Sequence, residues 1–233
     1  MNYTWDWGVL VQPPYGALLL SGAFWTLAVT LLAWVIALLV GTFVGTLRGL
    51  GAAPLRLLAT CYVELFRNVP PLVQVFLWFF VFPEVVPRAA GHWLKRDLPL
   101  PEFTTASVAI GLFAAARVAE QIRAGVETVR ARLYPAALAT GLRPWQAYRL
   151  VLLPVALRRI VGPLTSEFLI TFKMSSVALT IGVVEMTAAS QQIANDTFHG
   201  FEAYGAATVF YLLVGLGITG MMRTLDRHLH GAA

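Results

Sequence analysis

Pro135-Ala136-Ala137-Leu138-Ala139-Thr140-Gly141, followed after a further run by Val151-Leu152-Leu153-Pro154, decides how the rest of the chain is laid out. Apolar runs flank this stretch on both sides. The residues around it (Arg123, Glu127, Arg130, Arg132, Arg143, Gln146 and Arg149) are too polar for lipid. Irregular backbone cannot face a hydrocarbon core, because its N–H and C=O groups would go unsatisfied. The segment at about 123–154 is therefore expected outside the bilayer, on the cytoplasmic side. Within it Pro135 suits the first position of a helix. Ala136, Ala137, Leu138 and Ala139 are strong helix formers, and Gly141 can close the helix with a positive φ. Pro144 then starts a second helix that carries Trp145-Gln146-Ala147-Tyr148-Arg149-Leu150 back to the membrane. The local physics predicts a short helix of two turns or fewer, a glycine break and a rising helix.

The flanking runs set the class. The chain is 58% hydrophobic and 12% charged, with a mean hydropathy of +0.70. A soluble domain carries about 25% charged residues, so the chain reads as an all-α polytopic membrane protein. A β-barrel needs short strands that alternate in polarity, whereas Leu27–Val44 is apolar on every face. The net charge of +5 does not point to nucleic acid, because the basic residues sit at the ends of spans, where they set topology. The single cysteine, Cys61, excludes an internal disulfide and reads as a small packing residue. Met1–Trp7 contains no Lys or Arg, unlike the basic start of a cleaved signal peptide. The first span is therefore expected to remain as an anchor.

Five spans are expected in one transmembrane domain covering 1–233: Ala17–Leu47, Val63–Phe82, Thr104–Ile122, a kinked or interrupted fourth from Val155 past Lys173, and Tyr204–Met222. The loops expected on the cytoplasmic side hold Arg48, Arg56, Arg123, Arg130, Arg132, Arg143, Arg149, Arg158, Arg159, Arg223 and Arg227. Those expected outside hold Arg88, Lys95 and Arg96. This bias puts the N-terminus outside and the C-terminus in the cytoplasm. Trp5, Trp7, Trp78, Trp93, Tyr204 and Tyr211 fall near the outer boundary as an aromatic belt. Gly41, Gly45 and Gly49 form a small-residue ladder, suited either to internal helix packing or to a subunit interface.

The central stretch resembles the coupling loop of the membrane subunits of bacterial ATP-driven importers, and the likeness extends over nearly the whole chain. Leu19–Gly45 is similar to that family's first helix. Tyr62-Val63-Glu64-Leu65-Phe66-Arg67-Asn68-Val69-Pro70-Pro71-Leu72-Val73-Gln74 is similar to the second-helix signature of its polar amino-acid branch. Ala116–Gly125, Phe172–Ser176 and Ile181–Glu185 match the segments on either side of the loop. Trp5-Asp6-Trp7-Gly8 together with Arg117-Val118-Ala119-Glu120-Gln121 is similar to permease subunits for glutamate and aspartate. The resemblance implies a type I ABC importer transmembrane fold with a cytoplasmic coupling helix, in a bacterial inner membrane. It implies a second permease chain, two copies of a separate ATPase that binds ATP and magnesium, an external solute-binding protein and an amino-acid substrate. No cofactor is expected in this chain. The coupling residues would be Pro135, Ala136, Ala137, Leu138, Gly141, Leu142 and Pro154. Two departures stand out. Pro135 replaces the family's usual Glu, which leaves apolar contact from Ala137, Leu138 and Leu142. Met174 stands where Asn or Asp is common, which puts a polar lining there in question.

Ionisable residues within spans are costly and point to a pathway. Arg117 and Glu120 are spaced i,i+3 and can pair. Within the resemblance, Arg117 would instead receive a substrate carboxylate through its planar fork, with Glu120 orienting it or meeting the substrate ammonium. Lys173 would line the cavity or pair with Glu167 or Glu185. Glu64 and Arg67, again i,i+3, are expected to pair near the cytoplasmic surface.

Other classes fit less well. No Gly-Lys dipeptide exists, so the chain has no P-loop of its own. A membrane enzyme would need His-Glu-x-x-His or Gly-x-Ser-x-Gly, and neither is present. His92, His199, His228 and His230 lie outside the spans, and the His228/His230 pair offers too few ligands for a metal. An ion-coupled secondary transporter usually has more spans and internal repeats. Acidic amino acids are the expected substrates, with another polar amino acid such as glutamine as the alternative.

Overall fold

A computed structural model describes residues 3–50 and 53–230. The side chains of Leu50, Leu157 and residues 225–230 lie outside the described set, and with them those of Arg227, His228 and His230. Met1 and Asn2 lie outside it as well. The described residues form helices and turns without a strand. In chain order the helices are α1 (Tyr15–Leu50), α2 (Ala53–Asn68), α3 (Pro71–Val85), α4 (Arg88–His92), α5 (Pro101–Ala139), α6 (Pro144–Gln146), α7 (Leu153–Met174), α8 (Met186–Thr197) and α9 (Gly200–His230). Wide π-type turns at Leu77–Val81, Trp93–Asp97 and Ala147–Leu152 interrupt or join them, and a 3-10 turn at Ser175–Ile181 follows α7.

Among the described residues four stretches are long and apolar enough to cross a membrane: Tyr15–Gly49, Pro101–Ala139, Arg158–Ile181 and Gly200–Thr224. A fifth is available only as the bent pair α2 and α3, whose axes turn by 108°. The uninterrupted second span expected over Val63–Phe82 is therefore not formed. Its breaker is Pro70-Pro71. A residue preceding proline is pushed out of the helical region, and Pro70 accordingly adopts φ −55° and ψ 138°. Asn68 Nδ2 donates to the Glu64 carbonyl at 2.7 Å and closes α2. The fourth span is interrupted after Met174, as expected.

Chain contacts gather into two compact units, Met1–Ala33 with Pro70–Gly111 and Ile170–Ile218, and Trp34–Val69 with Leu112–Leu169 and Thr219–Ala233. The first has a core of Val29, Ala33, Val75, Ala106, Ile110, Ala178 and Ile181, against which Met174 packs. Met174 thus fills apolar space where a polar lining was in question. In this unit Glu185 caps α8. Its carboxylate accepts from the Thr187 and Ala188 N–H groups, each at 2.9 Å, and from the Tyr211 hydroxyl at 2.8 Å.

In the second unit α1 packs on α5. A Cβ on Gly41 would meet Val118 Cβ at 2.7 Å and the Ala115 carbonyl at 2.8 Å. One on Gly45 would meet the Ala119 carbonyl at 2.8 Å, while one on Gly49 would meet nothing within 4 Å among the described residues. Two steps of the ladder therefore serve internal close packing and the third does not. Along α1, Leu20, Phe24, Leu27, Leu31, Val35, Leu39 and Phe43 are exposed at helical spacing, while Thr26, Val29, Thr30, Ala33 and Ala37 are buried. An outward stripe of large apolar side chains is the face a helix turns to lipid.

Candidate functional site

Arg117 on α5 does not pair with Glu120. It is held by Glu167 on α7 in a two-point bond, Nε to Oε2 at 2.6 Å and Nη2 to Oε1 at 3.0 Å. The Glu167 side chain is 6% exposed and that of Arg117 34%. The ring of Phe113, one turn earlier, lies 5.9 Å from the guanidinium carbon. The expected i,i+3 partner Glu120 accepts from Arg123 instead, Nη2 to Oε1 at 2.6 Å, and from Arg48 Nη1 of α1. Helical spacing permits an i,i+3 pair without selecting it. Glu167 sits where both of its oxygens meet the planar Arg117 fork, the stronger arrangement.

Arg67, Phe113, Arg117, Glu120, Gln121 and Glu167 surround a cavity of about 240 Å³. The expected Glu64–Arg67 pair is absent. Glu64 accepts from Asn68, and Arg67 is exposed at the cavity without an ion-pair partner among the described residues. Lys173 is exposed in the last turn of α7 and likewise forms no ion pair among the described residues. The pairs considered for it with Glu167 or Glu185 are replaced by Arg117–Glu167 and by the cap of α8. Sequence reading singled out Arg117 and Glu120 and did not anticipate that Glu167, Gln121 and Arg67 line the same cavity. The available signal was the isolated carboxylate of Glu167 in an apolar helix.

The loop has the expected turn and a different entry. Pro135 does not open a helix; it lies inside α5, which continues to Ala139. Pro135 removes one N–H donor and crowds the preceding turn, and the alanines with Leu138 after it sustain the helix. Gly141 closes the turn with φ +84°, its N–H donating to the Leu138 carbonyl at 3.0 Å. Pro144 stands at the first position of α6, and Gln146 Oε1 accepts from the Arg143 N–H at 2.9 Å. Pro135, Ala136, Leu138, Gly141 and Pro154 are exposed, Leu142 is half-buried and Ala137 is buried. Ala137 is therefore packed inward, unlike the contact expected of it. Trp145, 59% exposed with the Arg149 guanidinium 5.1 Å from its ring, is a further large exposed apolar side chain of this segment. Among the described residues no group of three or more His, Cys, Asp or Glu side chains is placed to hold a metal.

Comparison with known proteins matches residues 37–231 to the family of binding-protein-dependent transport system inner membrane components. The chain is 42% identical to the glutamate/aspartate import permease protein GltJ of Escherichia coli (strain K12), over 97% of this chain and 96% of that protein. It is 33% identical to the glutamine transport system permease protein GlnP of the same strain, over 96% and 97%. A crystal structure of an amino acid ABC transporter with histidines superposes with a TM-score of 0.83 at 29% identity, covering 97% of this chain and all of that one.

Proposed function

The chain belongs to the family of binding-protein-dependent transport system inner membrane components, and we propose that it imports acidic amino acids, glutamate and aspartate, as the transmembrane subunit of an ATP-driven importer. It is a permease of the amino-acid ABC importer class, embedded in a membrane by several apolar helices. The finer reading follows from one observation: a cavity at Arg117 that also presents Arg67, a cation with no ion-pair partner among the described residues. The Arg117 fork is spent on Glu167. Arg67 is then the group that meets a passing side-chain carboxylate, with Arg117–Glu167 as the wall beside it. Glu120 and Gln121 supply acceptors for the substrate ammonium. The higher identity to GltJ than to GlnP supports the same choice.

In this reading the chain binds no cofactor. ATP and magnesium belong to two copies of a separate ATPase, gripped by Leu138, Leu142 and Trp145 around Pro135, Ala136, Ala137, Gly141 and Pro154. A second permease chain completes the pathway, a binding protein delivers substrate from outside, and the assembly lies in a bacterial inner membrane. ATP binding and release move the coupling ends together and apart, and the spans alternate access. The test is ATP-dependent uptake of radiolabelled glutamate and glutamine in proteoliposomes that hold all subunits. Arg67→Ala should lower glutamate uptake at least tenfold while binding-protein-stimulated ATP hydrolysis continues. Full glutamate uptake by Arg67→Ala would remove Arg67 from the pathway. Uptake of glutamine and not glutamate would refute the acidic substrate and leave the importer class standing.

A further inference from the structure

A second polar cavity, of about 410 Å³, lies where the last turn of α1, the first turns of α2 and the later part of α5 meet; Arg48, Arg56, Thr60, Arg123, Glu127 and Arg130 line it. Ligand pockets run from about 300 to 1,000 Å³. Its charges fall into two sets. Arg48, 12% exposed, is tied to Glu120, and Arg123 to Glu120 and Glu127. Arg56 and Arg130 are exposed, and neither has an ion-pair partner among the described residues. Arg130 is braced 5.6 Å from the Tyr134 ring. The cavity is thus a ring of four cations of which two carboxylates satisfy the inner pair only. The outer two guanidiniums await an anion with several acceptor oxygens, for which the planar fork is suited.

Its depth narrows the source of that anion. Glu102 and Arg123 stand 21 residues apart on α5, which is roughly 30 Å along a helix axis. A bilayer's hydrocarbon core is about 30 Å thick, so Arg123 lies at headgroup level when Glu102 does so on the other side. Arg56 is flanked along α2 by Leu55, Leu57 and Leu58, which are 46%, 64% and 67% exposed. These give acyl chains an apolar surface next to the cations. Basic pockets between membrane helices bind anionic lipid headgroups in this way. We infer that the cavity between α1, α2 and α5 binds the phosphate of an anionic phospholipid through Arg56 and Arg130, with Arg48 and Arg123 beneath. The inference rests on the membrane reading of α1, α2 and α5 and is independent of which amino acid is carried.

The test is native mass spectrometry of the full chain, purified with its partner subunits, titrated with cardiolipin, phosphatidylethanolamine or inorganic phosphate. Cardiolipin should bind at least tenfold more tightly than phosphatidylethanolamine, and inorganic phosphate at equal concentration should not displace it. Arg56→Gln with Arg130→Gln should weaken cardiolipin binding about tenfold. Arg56→Lys with Arg130→Lys should retain most of it, which separates charge recognition from misfolding. Unchanged cardiolipin binding by the glutamine variant overturns the site. Displacement by inorganic phosphate overturns the lipid as its source. Loss of the ATPase subunit from the glutamine variant with lipid binding intact makes the cavity a protein interface and overturns the proposal too. Glutamate uptake by the variants, measured in parallel, separates failure here from failure of the transport reading.

Discussion

Glu167 is the most consequential carboxylate in the second unit, because it is 6% exposed and ion-paired with Arg117. Removing one member of a buried pair leaves an uncompensated charge and costs about 3–5 kcal/mol, whereas replacing both with apolar groups is often neutral. Arg117 is a third exposed, so the lower end of that range applies here. Arg117→Ala and Glu167→Ala should each lower stability by about 3 kcal/mol, read as a reduced melting temperature in detergent. The double variant should recover much of the loss. Additive losses in the double variant would show that the two residues act independently in spite of their geometry. The sequence exposed the ionisable residues, because charge inside an apolar helix is costly wherever it occurs. It did not expose their pairing. Arg117 and Glu167 stand 50 residues apart, and their meeting depends on how α7 packs against α5. The only pair the spacing could suggest was the local one with Glu120.

Local chemistry governs the elements, and it was legible in proportion to how local it was. Pro70-Pro71 breaks a helix through sterics confined to two residues, yet the apolar run across it hid the break. Pro135 shows the reverse. Proline costs a helix most where it removes a bond and clashes with the preceding turn, and here the helix passes through it to Ala139. Gly141 behaved as its chemistry requires. Its φ of +84° lies in the left-handed region, and nothing lies within 4 Å of the Cβ position. A side chain there would meet backbone strain and no clash, costing roughly 1–2 kcal/mol. Gly141→Val should therefore detach the rising segment from the turn and lower substrate-stimulated ATP hydrolysis severalfold. Gly141→Asn should do much less harm, because asparagine enters the left-handed region readily. Equal activity in both variants would mean that the turn contributes nothing to coupling. The Gly41 and Gly45 contacts carry the same logic to a helix pair, since each has a carbonyl of α5 at 2.8 Å from the site of a Cβ.

For the whole molecule, composition alone gave the class, because a chain this apolar cannot hide its side chains in a core of its own size. Large apolar residues remain exposed along α1, and along α9 at Val209, Leu212, Leu213 and Leu216. Only 6% of the apolar window of α9 is buried, so that helix offers its surface to lipid or to another chain. Span number was less legible, since hydropathy averages over the 108° turn between α2 and α3. If that bent pair crosses once, five spans place the termini on opposite sides; if it enters and returns, they share a side. The arginine bias favours opposite sides, because basic loops remain cytoplasmic. The side on which the Gly141 turn lies is testable on a background of Cys61→Ala, which removes the exposed native thiol. Asp196→Cys, exposed before α9, and Thr140→Cys, exposed beside the glycine turn, each add one thiol. A membrane-impermeant maleimide should label Asp196→Cys in intact cells and Thr140→Cys only after permeabilisation. An odd number of crossings separates Thr140 from Asp196, because one further span lies between them at Arg158–Ile181. Labelling of both from outside would mean that Arg158–Ile181 does not traverse the bilayer, and the Gly141 turn would then face away from the proposed ATPase.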